Sequence, residues 1–131
     1  MPVRLMIVDD HESVRELLRA IVEDAPEDVV VSGEADGART ALETIDRVDP
    51  DVVVLDARMP DVSGFEAAPR ILERRPGQKI LLCSGEVSVE VCDRAERLGI
   101  AACVSKSDLE AIPRVAMEIA KPSTGAPAAP A

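Results

Sequence analysis

Residues 52–60 read VVVLDARMP, and their pattern is the strongest indication of the fold. Four apolar residues, three of them β-branched, are typical of a strand that is buried on both faces of a parallel sheet. The strand ends at Asp56, and Pro60 then turns the chain. Because a charge at the end of a buried strand is costly without a partner, we expect other groups to gather around Asp56.

Three other apolar segments predict strands that are also followed by polar side chains. These segments and the residues after them are 5–8 with Asp9 and Asp10, 80–83 with Ser84, and 100–104 with Lys106. A further strand is predicted at 28–34, around three consecutive valines. Helical patterns separate the strands, and such alternation is typical of an α/β protein with a doubly wound sheet.

We therefore predict a flavodoxin-like fold, in which five helices flank five parallel strands in the order 2-1-3-4-5. The chain of 131 residues is long enough for one domain with a buried core. This domain is expected to occupy residues 1–121. Residues 122–131, rich in Pro and Ala, are expected to form a disordered tail or linker stub.

Apolar residues at helical spacing predict the helices. The buried stripe of the first helix comprises Val14, Leu17, Leu18, Ile21 and Val22. The fourth helix is predicted over residues 87–98, with Gly99 at its C-terminal cap. The last helix has two predicted starts, a capping box formed by Ser107 and Glu110 or a first turn at Pro113.

The composition argues against several classes of function. A net charge of −10 disfavours direct binding to DNA or to an anionic membrane, because phosphate contacts need clustered Lys and Arg. No apolar stretch approaches the roughly 20 residues of a membrane span, and the N-terminus lacks a signal-peptide pattern. The three cysteines lack metal-binding spacing. We expect them to be reduced thiols of a cytosolic protein, packed as small buried hydrophobes.

Strand topology predicts a cluster of carboxylates. The carboxyl ends of parallel strands share one edge of the sheet, and ligands bind where the strand order reverses, between the first and third strands. This rule places Asp9 and Asp10 beside Asp56. Three carboxylates within about 5 Å of one another repel at roughly 3 kcal/mol per pair for an effective dielectric constant of about 20. A cation is needed to hold them together, and oxygen ligands suit Mg²⁺.

Ser84 and Lys106 extend this predicted site. Ser84 offers a hydroxyl group and Lys106 a mobile positive charge, although Ser84 alone would most often be a turn residue and Lys106 alone a solvated surface residue. A metal ion, a hydroxyl and an ammonium group around one carboxylate form a phosphoryl-transfer site. In such a site Asp56 is the nucleophile.

Four motifs carry a resemblance to a known family. They are VDDH at 8–11, LDARMP at 55–60 with Gly64, CSG at 83–85, and GIAACVSK at 99–106. Together they resemble the CheY-like receiver domain of bacterial two-component response regulators. The similarity covers about residues 3–120.

The resemblance implies that Asp56 accepts a phosphoryl group from a sensor histidine kinase or a phosphotransfer protein. It also implies that Ser84 and Lys106 bind the phosphoryl oxygens. The implied ligands of Mg²⁺ are Asp10 directly, Asp9 largely through water, Asp56, and the backbone carbonyl of Arg58. The chain would be a signalling protein and not an enzyme, apart from its own phosphorylation and slow dephosphorylation.

The resemblance further implies a cytoplasmic switch. Phosphorylation would move the surface of the fourth helix, fifth strand and fifth helix, and so control an output partner or an appended effector; a homodimer is left open. The histidine that directly follows the acidic pair, His11, resembles the branch of the family whose members usually carry a helix-turn-helix effector domain. Any contact with DNA would come from such a domain. His11 itself is expected to be a helix-start residue.

Two features concern how the predicted switch would work. One is a departure from the family's usual pattern, and the other is a pair of charges beside the site. Cys103 occupies a position that is usually Tyr or Phe, so the aromatic part of the usual switch has no ring to move. Arg58 and Glu86 lie two residues after Asp56 and Ser84. We expect these two charges to meet across the pocket and slow hydrolysis of the phosphoryl group, although two solvated loop charges are nearly as plausible.

Three rival interpretations remain. A receiver-like module that binds partners without phosphorylation would keep the same fold. An aspartyl-phosphate phosphatase or phosphotransferase would also use an Asp nucleophile and Mg²⁺, but those resembling haloacid dehalogenases place the nucleophile after the first strand. A flavodoxin-like electron carrier would need a phosphate-cradling loop and aromatic rings, and Phe65 is the single ring of this chain.

Overall fold

The computed structural model describes residues 1–121, which contain one five-stranded sheet. All neighbouring strands are parallel and follow the order β2-β1-β3-β4-β5, which confirms the predicted doubly wound α/β fold. The elements are β1 (Val3–Val8), α1 (Glu12–Asp24), β2 (Val29–Ala35), α2 (Ala38–Val48), β3 (Val52–Asp56), α3 (Gly64–Arg74), β4 (Lys79–Ser84), α4 (Val89–Arg97), β5 (Ala102–Ser105) and α5 (Ile112–Ala120). A 3₁₀ helix, Lys106–Ala111, joins β5 to α5. The predicted tail at 122–131 lies outside the described residues.

The core has two layers, one on each face of the sheet. One layer joins the strand residues Met6, Val53, Leu55 and Leu82 to Ile45 of α2, Ile71 of α3 and Ala95 of α4. The other joins Leu5, Ile7, Val54 and Leu81 to Leu18 and Val22 of α1 and to Ile112 and Ala116 of α5. Every residue of β3 is buried, as expected for a central strand covered on both faces. None of the helices within residues 1–121 is long and apolar enough to cross a membrane.

The predicted stripe of α1 is wrong at Leu17. Leu18 and Val22 are buried, but Leu17 is 50% exposed. Consecutive residues are about 100° apart around a helix, so Leu17 lies on the flank of a stripe that is centred on Leu18. His11 is the N-cap residue of α1, which confirms its predicted place at the helix start.

The boundaries of α4 and β5 differ from the predicted ones. α4 begins after Ser88, whose hydroxyl accepts a hydrogen bond from the Val91 amide at 3.2 Å, so Val87 stays outside the helix. Gly99, at φ 86°, ends the helix as predicted. The Ile100 amide donates to the Ala95 carbonyl at 3.0 Å. Since Ile100 is occupied in closing the helix, β5 begins only at residue 102 and not at 100.

The last helix takes the second of its two predicted starts. α5 begins at Ile112 with Pro113 in its first turn, where the missing amide hydrogen is harmless. The capping box at Ser107 and Glu110 is wrong, because this segment is a 3₁₀ helix. In that segment the Ser107 amide donates to the Ser105 hydroxyl at 3.1 Å.

Candidate functional site

Three carboxylates meet at the carboxyl edge of the sheet. β1 and β3 are direct neighbours, with Val8 opposite Leu55, so Asp9 and Asp56 follow side by side. Ligand atoms of Asp9, Asp10, His11 and Asp56 all lie within 4.8 Å of one another. Asp9 and Asp56 are almost fully buried, at 3% and 2% exposure, and Asp10 is half-buried. The structure therefore brings the predicted acidic cluster together in a setting where water cannot fully screen it.

Hydrogen bonds satisfy only part of this cluster. Asp9 Oδ1 accepts from the His11 amide at 2.8 Å. Asp56 Oδ1 accepts from the Arg58 amide at 3.1 Å. Two buried oxygens, Asp10 Oδ1 and Asp56 Oδ2, have no hydrogen-bond partner within residues 1–121. Buried acceptors are nearly always satisfied, and Asp10 Oδ1 has the His11 Nδ1 atom at 3.3 Å, so Asp56 Oδ2 is the oxygen that is most open to a further partner.

Lys106 is the cation of the site. It follows β5 directly, and its Nζ lies 2.8 Å from Asp56 Oδ1 and 3.8 Å from Asp9 Oδ2. Burial lowers the pKa of Lys106, but the hydrogen bond and charge of Asp56 outweigh burial, so the pKa lies above its ordinary value. Burial raises the pKa of Asp56, and the hydrogen bonds from Lys106 and Arg58 only partly offset it. One ammonium group therefore does not neutralise the cluster.

Ser84 lies at the same edge, but its hydroxyl is engaged elsewhere. Ser84 ends β4 and is buried, opposite Ser105 of β5. Its Oγ donates to the Glu86 carbonyl at 2.7 Å and accepts from the Glu86 amide at 3.2 Å. This hydroxyl must leave Glu86 before it can donate to a group bound at Asp56.

A cleft of about 580 Å³ opens onto the site. Its lining includes Asp56, Arg58, Ser84, Glu86 and Lys106. Arg58 and Glu86 are both exposed, and none of the ion pairs in the described part of the chain joins them. The predicted meeting of these two charges is therefore wrong, since solvation of separate exposed charges competes with a surface ion pair.

Three interactions around the site were not predicted from the sequence. The Arg94 guanidinium of α4 lies 4.1 Å from the centroid of the Phe65 ring of α3, at the rim of the cleft. Arg15 donates to the Asp9 carbonyl at 2.6 Å, which fixes the backbone of the acidic cluster. Asp61, in the loop after β3, accepts from the Arg39 amide at 3.2 Å and so caps α2. These contacts join residues of separate elements, so no local sequence pattern predicts them.

The cysteines are less uniform than predicted. Cys83 is buried and Cys103 is half-buried, but Cys92 on α4 is exposed, so the expectation of three buried thiols is wrong. Burial raises the pKa of Cys83 to about 12. Cys103 packs against the core layer beneath α4.

An acidic pocket at the reversal point of a doubly wound parallel sheet, with a lysine directly after the last strand, defines a class of flavodoxin-like signalling domains. Residues 5–115 match the response regulator receiver domain. The chain belongs to this family, as the motifs predicted.

Several known proteins are similar to this chain. The protein-glutamate methylesterase/protein-glutamine glutaminase 1 of Rhodospirillum rubrum is 35% identical over 107 residues, which is 80% of this chain and 27% of that protein. The chemotaxis protein CheY of Listeria monocytogenes is 38% identical over 81 residues, covering 62% of this chain and 66% of that protein. The chain thus spans about a quarter of the first relative and about two thirds of the second.

Solved structures agree with this assignment. A LuxR-family two-component response regulator from an Aurantimonas species superposes with a TM-score of 0.84 at 30% identity, covering 92% of this chain and 86% of that one. The signal receiver domain of the putative response regulator NarL from Mycobacterium tuberculosis gives a TM-score of 0.80 at 30% identity, covering 91% and 96%.

Proposed function

We propose that Asp56 of this receiver domain accepts a phosphoryl group from a sensor histidine kinase or a phosphotransfer protein. The observation that carries the proposal is the state of the Asp56 carboxylate. Its Oδ1 is held by Lys106 and Arg58, whereas its buried Oδ2 has no partner within the described residues. A positioned carboxylate with one uncommitted oxygen, next to a cleft, is suited to nucleophilic attack.

The residues present fit a Mg²⁺ ion. Asp9, Asp10 and Asp56 each offer a carboxylate oxygen within 4.8 Å of the others, and the Asp10 Oδ1 atom, buried without a hydrogen bond in residues 1–121, faces only the His11 Nδ1 atom at 3.3 Å, so a cation suits this oxygen-rich cluster. The proposed ligands are Asp10 directly, Asp9 largely through water, Asp56, and the backbone carbonyl of Arg58. When bound, the ion supplies positive charge that neutralises the oxygens of the transferring phosphoryl group.

The residues of the chain perform the transfer by position and charge. The Asp56 carboxylate attacks the donor phosphorus, one P–O bond forms, and the P–N bond of a phosphohistidine breaks. The imidazole leaves with the electron pair and takes a proton from water. Lys106, already 2.8 Å from the carboxylate, remains paired with the negative charge that collects there.

Ser84 connects the phosphoryl group to the rest of the domain. The added group carries about −1.5 to −2 charges and three acceptor oxygens. Ser84 donates to one of these oxygens after it releases the Glu86 carbonyl. α4 begins at Val89, five positions after Ser84, so we propose that a shift of this loop repositions α4.

The output surface proposed here consists of α4, β5 and α5. It controls either a separate output protein or an appended effector, and an appended domain would make any DNA contact.

Cys103 replaces the usual aromatic switch residue, and Arg58 and Glu86 tune water access separately and not as a pair. We further propose a cytoplasmic setting, a receiver unit at residues 1–121 with residues 122–131 as tail or linker, and a homodimer as one use of the output surface.

The proposal is tested by incubating the protein with Mg²⁺ and acetyl phosphate and measuring its intact mass. We expect a gain of one phosphoryl group that is lost on mild base treatment, absent without Mg²⁺ and absent in Asp56→Asn. Asp61→Asn serves as a matched control, because Asp61 lies on the same loop but caps α2. No adduct would favour a binding module that works without phosphorylation. Continuous turnover of the donor with no adduct would favour a phosphatase.

A further inference from the structure

Two cysteines lie at the boundary between α4 and β5. Cys103 of β5 stands opposite Leu82 in the sheet register and packs against the core layer that α4 covers. Cys92 lies in the first turn of α4, one turn before the buried Ala95 of the same layer. Helix residues three apart share a face, so the turn that carries Cys92 is directed towards the same side as Ala95. α4 packs against β5, so Cys92 and Cys103 lie on neighbouring elements on the same side of the sheet.

The two thiols differ in exposure. The Cys103 thiol is half-buried, and burial followed by the neighbouring Cys92 raises its pKa to about 11. Cys92 is exposed to solvent. An oxidant in solution therefore reaches Cys92 first and finds Cys103 beside it as a protonated thiol.

We propose that Cys92 and Cys103 are a redox modification site, which forms a reversible disulfide between α4 and β5 when the protein meets a peroxide. Cys92 attacks one peroxide oxygen, the O–O bond breaks, and the other oxygen leaves as water, so Cys92 becomes a sulfenic acid. The Cys103 sulfur then attacks the Cys92 sulfur, the S–O bond breaks, and the hydroxyl leaves as water with the Cys103 proton. In balance, two thiols lose two hydrogens and one peroxide becomes two waters.

The third cysteine cannot substitute for either partner. Cys83 stands opposite Val104 on β4, one position along from the pair of Leu82 and Cys103. Successive residues of a strand face opposite sides, and Cys83 accordingly lies in the core layer beneath α1 and α5. The sheet therefore separates Cys83 from Cys92 and Cys103.

The cross-link has a consequence for the domain that goes beyond phosphorylation. It joins α4 to β5, two of the elements that the proposed function moves, so the oxidised form would hold α4 in one position. In a reducing cytosol such a disulfide is transient and a dithiol reductant reverses it, which is the behaviour of a regulatory bond.

The test is a peptide map of the full chain after treatment with one equivalent of hydrogen peroxide. Free thiols are blocked by alkylation, and the protein is digested without reduction. We expect one peptide pair linked through Cys92 and Cys103, with Cys83 alkylated only after denaturation. At about 10 μM protein, a millimolar effective concentration favours the internal bond over a disulfide-linked dimer by about a hundredfold.

Variants separate this bond from other oxidation products. Cys83→Ser should keep the cross-link, and Cys92→Ser should abolish it. Dimers linked through Cys92, or a sulfinic acid at Cys92 with Cys103 still open to alkylation, would overturn the proposal. The peptide map of the wild-type chain decides even if a variant fails to fold. Phosphorylation is not part of the readout, so a failure here leaves the proposed phosphoacceptor untouched.

Discussion

Replacing Asp56 by Asn removes a charge from the acidic cluster while keeping the shape of the side chain. Asp56 is 2% exposed, and its Oδ2 has no partner within the described residues. The substitution removes the ion pair between Asp56 and Lys106, but the Lys106 Nζ atom still has the Asp9 Oδ2 atom at 3.8 Å. Burial outweighs the hydrogen bonds to Asp56 and raises the pKa of its carboxyl group, so the folded protein favours a neutral group there.

Asp56→Asn should therefore stabilise the metal-free protein. An unsatisfied buried acceptor costs about 1–3 kcal/mol, and we expect a gain of about 1–2 kcal/mol in the free energy of unfolding. This corresponds to an increase of roughly 4–8 °C in Tm for a domain of this size. Urea denaturation followed by far-UV circular dichroism in EDTA is the suitable assay, because the chain has neither Trp nor Tyr.

The extra stability of Asp56→Asn over wild type should increase as the pH rises. The pKa of Asp56 is raised in the folded state above its ordinary value of 3.8. The wild-type protein therefore carries no penalty below pH 3.8, acquires it as the pH rises through that value, and bears it fully above the folded pKa. The difference between Asp56→Asn and wild type should be complete at neutral pH and shrink towards pH 4.

Mg²⁺ should remove or reverse the difference. At a concentration of about 100 Kd, a ligand that binds only the folded state stabilises it by about 2.7 kcal/mol. The wild-type protein should gain this amount, and Asp56→Asn should gain less because it lacks one ligand. Asp93→Asn, on the exposed surface of α4, should change stability by less than about 0.5 kcal/mol in either buffer. A metal-free Asp56→Asn protein less stable than wild type would show that the Asp56 charge does not destabilise the fold, and an equal response to Mg²⁺ would show that Asp56 is not a ligand.

Three further predictions follow from contacts around the site. Asp61→Ala removes the cap of α2 and should lower the free energy of unfolding by about 1 kcal/mol in urea denaturation; an unchanged midpoint would show that the cap is unimportant. Arg94→Gln removes the cation–π contact with Phe65 and should cost about 0.5–1 kcal/mol, with a smaller loss in Arg94→Lys. Ser84→Ala should still take up a phosphoryl group but lose a charge-assisted hydrogen bond of about 1.5–3 kcal/mol, which weakens the shift towards the active state roughly tenfold or more. Hydrogen exchange of α4 with and without acetyl phosphate measures that shift, and an undiminished response in Ser84→Ala would contradict the role given to its hydroxyl.

The position of the acidic cluster followed from the sequence because strand order is a strong constraint. Apolar runs located the central strands, and the rule for doubly wound sheets then placed Asp9 and Asp10 beside Asp56. The side chains had little freedom to be elsewhere, because each begins at the end of a buried strand. Lys106 reached the same edge for the same reason.

The errors fall where local patterns are degenerate. Leu17 is exposed although Leu18 is buried, because consecutive residues lie about 100° apart around a helix. The predicted burial of Cys92 rests on its residue type alone, which does not determine the side of α4 on which it lies. The start of α4 depends on the Ser88 hydroxyl, a capping signal that directly follows Val87, the apolar residue at which the predicted helix begins. The capping box at Ser63 and Glu66 was readable in the same way and fixes the start of α3.

Contacts between distant loops could not be predicted. The hydroxyl of Ser84 has both Asp56 and Glu86 within the same cleft, and only the loop geometry shows that it donates to Glu86. Arg58 and Glu86 show the opposite case. Both residues line the same cleft, but no ion pair joins them within the described residues. Distances of this kind depend on how two loops pack, which spacing along the chain does not encode.

If Asp56 is the phosphoacceptor, its carboxylate becomes an acyl phosphate, and hydroxylamine traps such a group at the residue that carries it. Hydroxylamine attacks the carbonyl carbon of an acyl phosphate, releases phosphate and leaves a stable hydroxamate on the same side chain. After treatment with Mg²⁺, acetyl phosphate and then hydroxylamine, peptide mass spectrometry should find a hydroxamate on Asp56 and none on Asp9 or Asp10. A hydroxamate on another carboxylate, or none in protein that remains folded, would contradict the assignment.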